Sequence, residues 1–193
     1  PSPPMKSPAL SLLALVLMPL CAFAQTPKAE LISPQVKAAV EKAVKWLVAQ
    51  QRPAGLIVDE KSNNTPKRGD LPSHSAAMTS LALMGLASVG HMPSDPTPEG
   101  KAAAKALRYI VEGIEPDENG YLGRSDRSRM YGHGIISLTL AEMIGHAPDD
   151  ATDKRMRGML DGAIKLILRS QQVSKSEANR GGWRYEPQSS DSD

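Results

Sequence analysis

Hydrophobic positions along the chain follow two patterns that alternate. In one pattern, apolar residues recur every three or four positions, which is typical of a helix with one buried face. This pattern covers 36–47, 103–114 and 156–168. In the other pattern, 75–90 contains no charged residue and 135–145 contains only Glu142, so the helix is apolar nearly all round. The chain is therefore predicted to be all-α, with half-exposed outer helices alternating with enclosed inner helices.

The order of these segments is outer, inner, outer, inner, outer. A helix that is apolar on nearly every side must be surrounded by protein or lipid, and both inner segments are shorter than the roughly 20 residues of a membrane span. A four-helix bundle would carry the amphipathic stripe in every helix. Two concentric layers explain the alternation, so we predict an α/α toroid. The third outer helix has no inner partner before Asp193, which predicts that only about the first half of the ring is present.

A five-residue pattern recurs within the outer segments. It reads Ala-Val-Lys-Trp-Leu at 43–47, Ala-Leu-Arg-Tyr-Ile at 106–110 and Ala-Ile-Lys-Leu-Ile at 163–167, at spacings of 63 and 57 residues. Periods of this length are typical of helical-hairpin arrays, in which each hairpin buries its face against the next.

Each outer segment is followed by a turn that also repeats. Glycine permits a tight turn, and an aromatic ring shortly after it packs between adjacent outer helices. The residues to which we assign this structural role are Gln51, Gly55, Gln171, Gly182 and Trp183, with Gly120-Tyr121-Leu122 as a degenerate copy.

These turns carry a family resemblance. The first turn resembles the Gln-x3-Gly-x-Trp repeat of squalene cyclases, with Ile57 in place of the Trp. Residues 131–134, Tyr-Gly-His-Gly, resemble the opening of an inner helix in prenyltransferase and squalene-oxidase repeat proteins. Residues 181–185 and 190–193 resemble the segment of squalene-hopene cyclases that leads into their Asp-x-Asp-Asp motif. The resemblance covers 35–193 and implies the terpenoid cyclase and protein prenyltransferase family, whose toroids often enclose an apolar chamber suited to isoprenoid chains.

The resemblance implies two catalytic candidates, Asp191 and Asp193. In the cyclases the middle Asp of the motif protonates a terminal alkene, and by position that acid is Asp193 with Asp191 beside it. Protonating an alkene requires a strongly acidic, desolvated carboxylic acid. The structural alternative is that one of the two carboxylates caps a following helix, a role that Asp favours.

A basic turn at 123–129 supplies candidates for anion binding. Arg124 and Arg127 precede a helix N-terminus near Tyr131 and His133, where guanidinium and free backbone N–H groups could bind a phosphate. The alternative is a solvated loop in which the arginines pair with Asp126. Protein prenyltransferases hold zinc with Asp, Cys and His, but no cysteine follows residue 24, so neither a metal nor another cofactor is predicted.

Residues 1–24 are predicted to be an N-terminal extension plus a signal peptide. Lys6 precedes an apolar run, and Ala22-Phe23-Ala24 fits a cleavage site. We expect cleavage before Gln25, export to the periplasm or out of the cell, and a partial α/α-toroid repeat domain over 25–193. The apolar run is too short to span a membrane, and no transmembrane helix is expected in the mature chain.

Without Lys6 the chain has 22 basic and 21 acidic side chains, which gives no electrostatic basis for nucleic-acid binding. We therefore predict an exported, non-catalytic binding or scaffold module with an apolar interior, whose partner is an apolar isoprenoid-like ligand or another protein. The alternative is a squalene-type terpenoid cyclase with Asp193 as general acid, so enzymatic activity stays open. A glycoside hydrolase on a similar ring is less well supported, because the chain has only seven Phe, Trp and Tyr residues to stack on sugars.

Overall fold

Five α-helices form the framework of the computed structural model, which describes residues 32–58, 74–125 and 127–191. Within these ranges there is no β-strand, only an isolated bridge between Gln51 and Ile57. The predicted all-α class is thus confirmed for the described residues, and the predicted signal peptide lies outside them. The helices are α1 (Pro34–Ala49), α2 (Ser75–Ser88), α3 (Pro98–Gly113), α4 (Arg129–Glu142) and α5 (Asp150–Gln171), followed by a short 3-10 helix, Glu177–Asn179.

Two of the outer helices begin at side-chain caps. Thr97 accepts a hydrogen bond from the N–H of Gly100 at 3.1 Å, and Pro98 occupies the first turn, as the Thr-Pro pair predicts. Asp149 accepts from the N–H of Thr152 at 2.8 Å at the start of α5. These caps satisfy backbone donors that the helix itself leaves unpaired, so they fix where each helix starts.

The helices pack in two layers within one compact unit, Pro34–Asp193. The inner layer consists of α2 and α4, which pack against each other; the outer layer contains α3, which contacts both α1 and α5. Each inner helix also packs on the outer helix that follows it, α2 on α3 and α4 on α5. The contacts thus place α2 and α4 side by side and set each of them against the helix that follows it along the chain. The fully buried side chains between the layers include Leu83, Leu86, Leu107, Ile110, Ile136 and Leu140.

The two inner helices are not enclosed on every side. Met78 and Leu81 of α2 are 51% and 44% exposed, and Tyr131 and Leu138 of α4 are 51% and 52% exposed. The prediction of enclosed helices therefore holds only for the faces turned toward the outer layer and toward each other. Among the described residues, no helix is both long enough and apolar enough to cross a membrane.

Two connections from an outer to an inner helix have the same backbone hydrogen bonds, 65 residues apart. The N–H of Gly55 donates to the Arg52 carbonyl and the N–H of Gly120 to the Asp117 carbonyl, each at 2.8 Å. The N–H of Arg52 in turn donates to Leu56, and that of Asp117 to Tyr121, at 3.0 and 3.3 Å. The two turns thus share the same pattern of backbone hydrogen bonds.

Both turns require glycine for the same two reasons. Gly55 and Gly120 have φ angles of +98° and +84°, which side chains rarely tolerate. A Cβ on Gly55 would lie 2.9 Å from the carbonyl carbon of Lys105 in α3, and one on Gly120 would lie 2.6 Å from that of Gly162 in α5. Lys105 and Gly162 each immediately precede the recurring five-residue pattern. The turns therefore dock at equivalent positions on successive outer helices.

The side chain of Gln51 also links the first turn to α3. The side-chain amide of Gln51 donates to the carbonyls of Gly55 at 3.0 Å and Ala102 at 2.8 Å, which ties the turn to α3. Gln51 and Gly55 thus meet within one turn that is tied to α3.

The third turn differs in detail. Its left-handed residue is Gly181, with φ +78°, rather than the predicted Gly182, and the Gln171 side chain lies beside Gly181. The indole N–H of Trp183 donates to the Ile167 carbonyl at 3.1 Å, and Trp183 is 40% exposed. Trp183 therefore packs back on α5, where no further outer helix covers it among the described residues.

We expect Gly55→Ala to lower the free energy of unfolding by about 3 kcal/mol, because it adds backbone strain to an overlap with the backbone of Lys105. The matched control is Gly90→Ala, since Gly90 has φ +90° but no atom within 4 Å of the added Cβ. Gly90→Ala adds only backbone strain and should lower the free energy of unfolding by about 1 kcal/mol. Urea unfolding of both variants checks this; equal losses would contradict the proposed close packing.

Candidate functional site

Exposed apolar side chains on α2 and α4 form the first candidate site. Its four large exposed side chains are Met78 and Leu81 on α2, three positions apart, and Tyr131 and Leu138 on α4, seven positions apart. At these spacings the side chains of each helix share one face. We call this surface the inner face. Exposed apolar side chains on two helices that pack against each other are typical of a binding surface.

A groove of about 260 Å³ lies at one end of the inner face. It is bordered by the last turns of α2 and α4, so both helices present their C-terminal ends to it. Most of its lining is apolar, and Glu142 is its one charged residue. The lining residues are Met84, Ala87, Ser88, Met92, Leu138, Glu142 and Met143.

His133 connects three elements beneath the surface of α4. It is fully buried; its Nδ1 accepts a hydrogen bond from the N–H of Leu122 at 3.1 Å, and its Nε2 lies 3.2 Å from the carbonyl of Ala163 in α5. An accepting Nδ1 leaves the proton on Nε2, which donates to that carbonyl, so the ring is neutral. Burial lowers the pKa of His133 below its ordinary value, the bond to Ala163 opposing this effect.

The first repeat contains an equivalent of this contact. The N–H of Ile57 donates to Oγ1 of Thr79 at 3.0 Å, just as the N–H of Leu122 donates to His133. Thr79 and His133 are each the fifth residue of their inner helix. His133 thus anchors a turn, and its ring faces the protein interior rather than a solvent anion. Aligning the two glycine turns in the sequence pairs His133 with Thr79, and this pairing could have indicated that His133 anchors a turn.

A second candidate site lies at the N-terminal end of α4. The Tyr131 and Tyr185 rings are 5.4 Å apart, and guanidinium groups lie over the faces of Tyr185 and Tyr121 at 5.3 to 5.6 Å. Stacking of this kind holds guanidinium groups in place. We call it the arginine–tyrosine cluster, and its members are Arg124, Arg129, Arg184, Tyr121, Tyr131 and Tyr185.

Carboxylates already neutralise much of the positive charge in the arginine–tyrosine cluster. Asp117 lies 3.4 Å from Arg124, and Glu186 lies 3.6 Å from Arg129. Asp191 lies 2.9 Å from Arg184. Burial, reinforced by Glu186, raises the pKa of Tyr121 and keeps its phenol protonated at neutral pH. Charge pairs within the cluster thus compete with any bound anion.

The predicted site residues are only partly brought together. Arg124 and Tyr131 belong to the arginine–tyrosine cluster, and Arg127 lies in the same loop with φ +62°. His133 lies behind them in the core. Sequence reasoning missed Arg184 and Tyr185, because they reach the cluster from more than 50 residues along the chain.

The two catalytic candidates fare differently. The side chain of Asp191 is 55% exposed and forms its ion pair with Arg184 at the protein surface. Asp193 lies outside the described residues. Asp191 is thus an ion-paired surface carboxylate rather than a desolvated acid.

Neither a metal site in the described residues nor a known relative identifies the function. Within 32–58, 74–125 and 127–191, no three His, Cys, Asp or Glu side chains are arranged to hold a metal ion. Comparison with protein-family models, curated proteins and solved structures gave no match. Function therefore has to follow from the chemistry of the two candidate sites.

Acid should destabilise the fold through His133. Its folded-state pKa lies below 6.5, so the unfolded chain binds the proton more readily. The stability is fully present above pH 6.5 and is lost as the pH falls toward the folded-state pKa, by at most about 1.4 kcal/mol per pH unit for one proton.

His133→Gln should remove this contribution to the pH dependence and cost about 2 kcal/mol at pH 7, because two buried backbone groups lose a well-placed partner. His91→Gln, at a half-buried histidine, serves as the control and should keep the slope. Urea unfolding between pH 5 and 8 measures both variants. An unchanged slope in His133→Gln would show that the acid sensitivity lies elsewhere.

Proposed function

We propose that this chain forms part of an α/α toroid of the terpenoid-cyclase and prenyltransferase repeat type, and that it acts as a non-catalytic binding module for an apolar, isoprenoid-like ligand. Three features support the toroid. They are the inner and outer layers, the repeated contact of each inner helix with the outer helix that follows it, and the two equivalent glycine turns. In such a ring the inner face borders the central chamber, and further helices would continue both layers.

The observation that carries the binding function is the inner face itself. Exposing large apolar side chains to water costs about 25 cal/mol for each Å² that a ligand would otherwise cover. Met78, Leu81 and Leu138 incur this cost on two helices that pack against each other. Within 75–90 and 135–145 the sequence has a single charged residue, Glu142. An apolar chain laid across the inner face would gain that free energy on binding.

Binding is favoured over catalysis by the state of the polar groups. Alkene protonation requires a neutral acid in a dry chamber, whereas Asp191 is an exposed carboxylate paired with Arg184. Hydroxyl groups of α4 that could act as nucleophiles are instead bonded to the backbone: Ser137 to the His133 carbonyl at 2.6 Å and Thr139 to the Ile135 carbonyl at 2.9 Å. The cyclase alternative would depend on Asp193.

We further propose that the chain is exported and that residues 1–24 are removed, on the strength of the basic start, apolar run and Ala-x-Ala site. Mass spectrometry of the protein from an exporting bacterial host should find Gln25 as the mature N-terminus. Recovery of an intact N-terminal segment from the exported fraction would contradict cleavage at this site.

Ligand binding can be tested with N-phenyl-1-naphthylamine, a neutral apolar dye whose fluorescence rises on leaving water. We expect saturable binding by the native chain and about tenfold weaker binding by Leu138→Glu, because the new carboxylate must be desolvated by the dye. The matched control is Leu168→Glu on the outer helix α5, since Leu168 is 53% exposed against 52% for Leu138.

Fluorescence titration measures the dye affinity of the native chain and of the two variants. Equal affinities for the native chain and Leu138→Glu would place dye binding away from the inner face. Equal weakening in both variants would indicate a general loss of structure, which circular dichroism of each protein monitors independently. Absence of dye binding to the native chain would contradict the proposed function.

A further inference from the structure

We infer that the groove at the C-terminal ends of α2 and α4 selects an amphiphilic organic cation, with its apolar tail on the inner face and its ammonium group beside Glu142. This inference rests on the proposed function, because Leu138 belongs to both the groove and the inner face. It adds the charge of the ligand and the position of the charged group.

Glu142 is an unusual residue for its surroundings. It is the only charged side chain within 75–90 and 135–145, the two uncharged segments of the sequence. It is exposed in the last turn of α4, where the helix dipole disfavours negative charge, and no basic residue shares that turn. Within the described residues, its carboxylate forms no hydrogen bond or ion pair. A bound cation would supply the missing partner.

The remainder of the groove also favours a cation. The C-terminal ends of two helices border it, and each contributes a partial negative charge of about half an electron. Among the residues that the structure describes, no lysine or arginine lines the groove, so none of them neutralises the negative charge from within. An anionic ligand would meet only repulsion there, and a neutral ligand would leave Glu142 unpaired.

The apolar lining indicates an organic cation rather than a metal ion. Met84, Met92 and Met143 contribute flexible, polarizable thioethers that adapt to alkyl groups. Hard metal ions require several oxygen ligands, and Glu142 provides the only carboxylate. A volume of about 260 Å³ falls just below the usual ligand pockets, which suits a short alkylammonium whose tail continues along the inner face.

The experiment is calorimetric titration of the native chain with octyltrimethylammonium and, separately, with 1-octanol, both below micelle-forming concentrations. The two probes share the alkyl chain and differ in the charged group. We expect octyltrimethylammonium to bind about fivefold more tightly, the gain typical of a partly exposed ion pair. Glu142→Gln should clearly reduce this preference while leaving the affinity for 1-octanol unchanged.

The matched control is Glu112→Gln, which removes the same charge from the last turn of the outer helix α3. It should retain the fivefold preference. Equal affinity of the native chain for the two probes, or an equal preference in Glu142→Gln, would overturn the cation site and leave the apolar binding function standing. Failure of both probes to bind would overturn both proposals.

Discussion

The close approach of each turn glycine to the following outer helix is the contact on which the two-layer arrangement depends. Gly55 lies against the backbone of Lys105, and Gly120 lies against Gly162. Two residues after each glycine, a backbone N–H donates to a side chain on the next inner helix. Ile57 donates to Thr79 in the first repeat, and Leu122 donates to His133 in the second. One short connection thus fixes an outer helix, its neighbour and an inner helix together. A side chain on either glycine would separate all three.

The helices α2 and α4 pack against each other and against α3 and α5, and their inner face stays exposed to solvent. The small polar residues of α2 and α4 point between the layers, where backbone groups and Tyr109 satisfy several of them, including Ser75, Thr79, Ser137 and Thr139. Large apolar side chains fill the space between the helices and also occupy the inner face. The exposed side of these helices is therefore apolar, whereas an ordinary surface helix turns a polar side to water. It connects the architecture with binding of an apolar molecule, and Glu142 adds a charge at one end of that surface.

The arginine–tyrosine cluster illustrates how tertiary contacts redefine a motif. In the sequence, Arg124 and Arg127 form a basic turn next to the start of an inner helix. In the fold, the segment after α5 returns to that turn, and the N–H of Met130 donates to the Tyr185 carbonyl at 3.0 Å. The returning segment supplies a stacking ring, another guanidinium and the carboxylates that balance it. A basic turn therefore becomes a largely neutral, cross-linked surface.

Much of the fold could be predicted from the sequence, because the governing interactions are local. The 3.6-residue period of 103–114, the Thr97-Pro98 start and the uncharged run 75–90 fix helix type and order through contacts within a few residues of one another. The left-handed turn at Gly55 is similarly local. The sequence could not determine which side of an uncharged helix would stay exposed, since such a helix has no polar face to orient it.

Other features were decided only by tertiary structure. The choice of Gly181 over Gly182, the burial of His133 and the pairing of Asp191 with Arg184 depend on which segments meet in space. Burial determines whether a histidine is a solvent-facing ligand or a neutral anchor, and ion pairing determines whether a carboxylate is available for chemistry. Neither property is a function of sequence spacing. The periodic pattern thus determined the helices and their order, whereas long-range packing determined which side chains stay exposed.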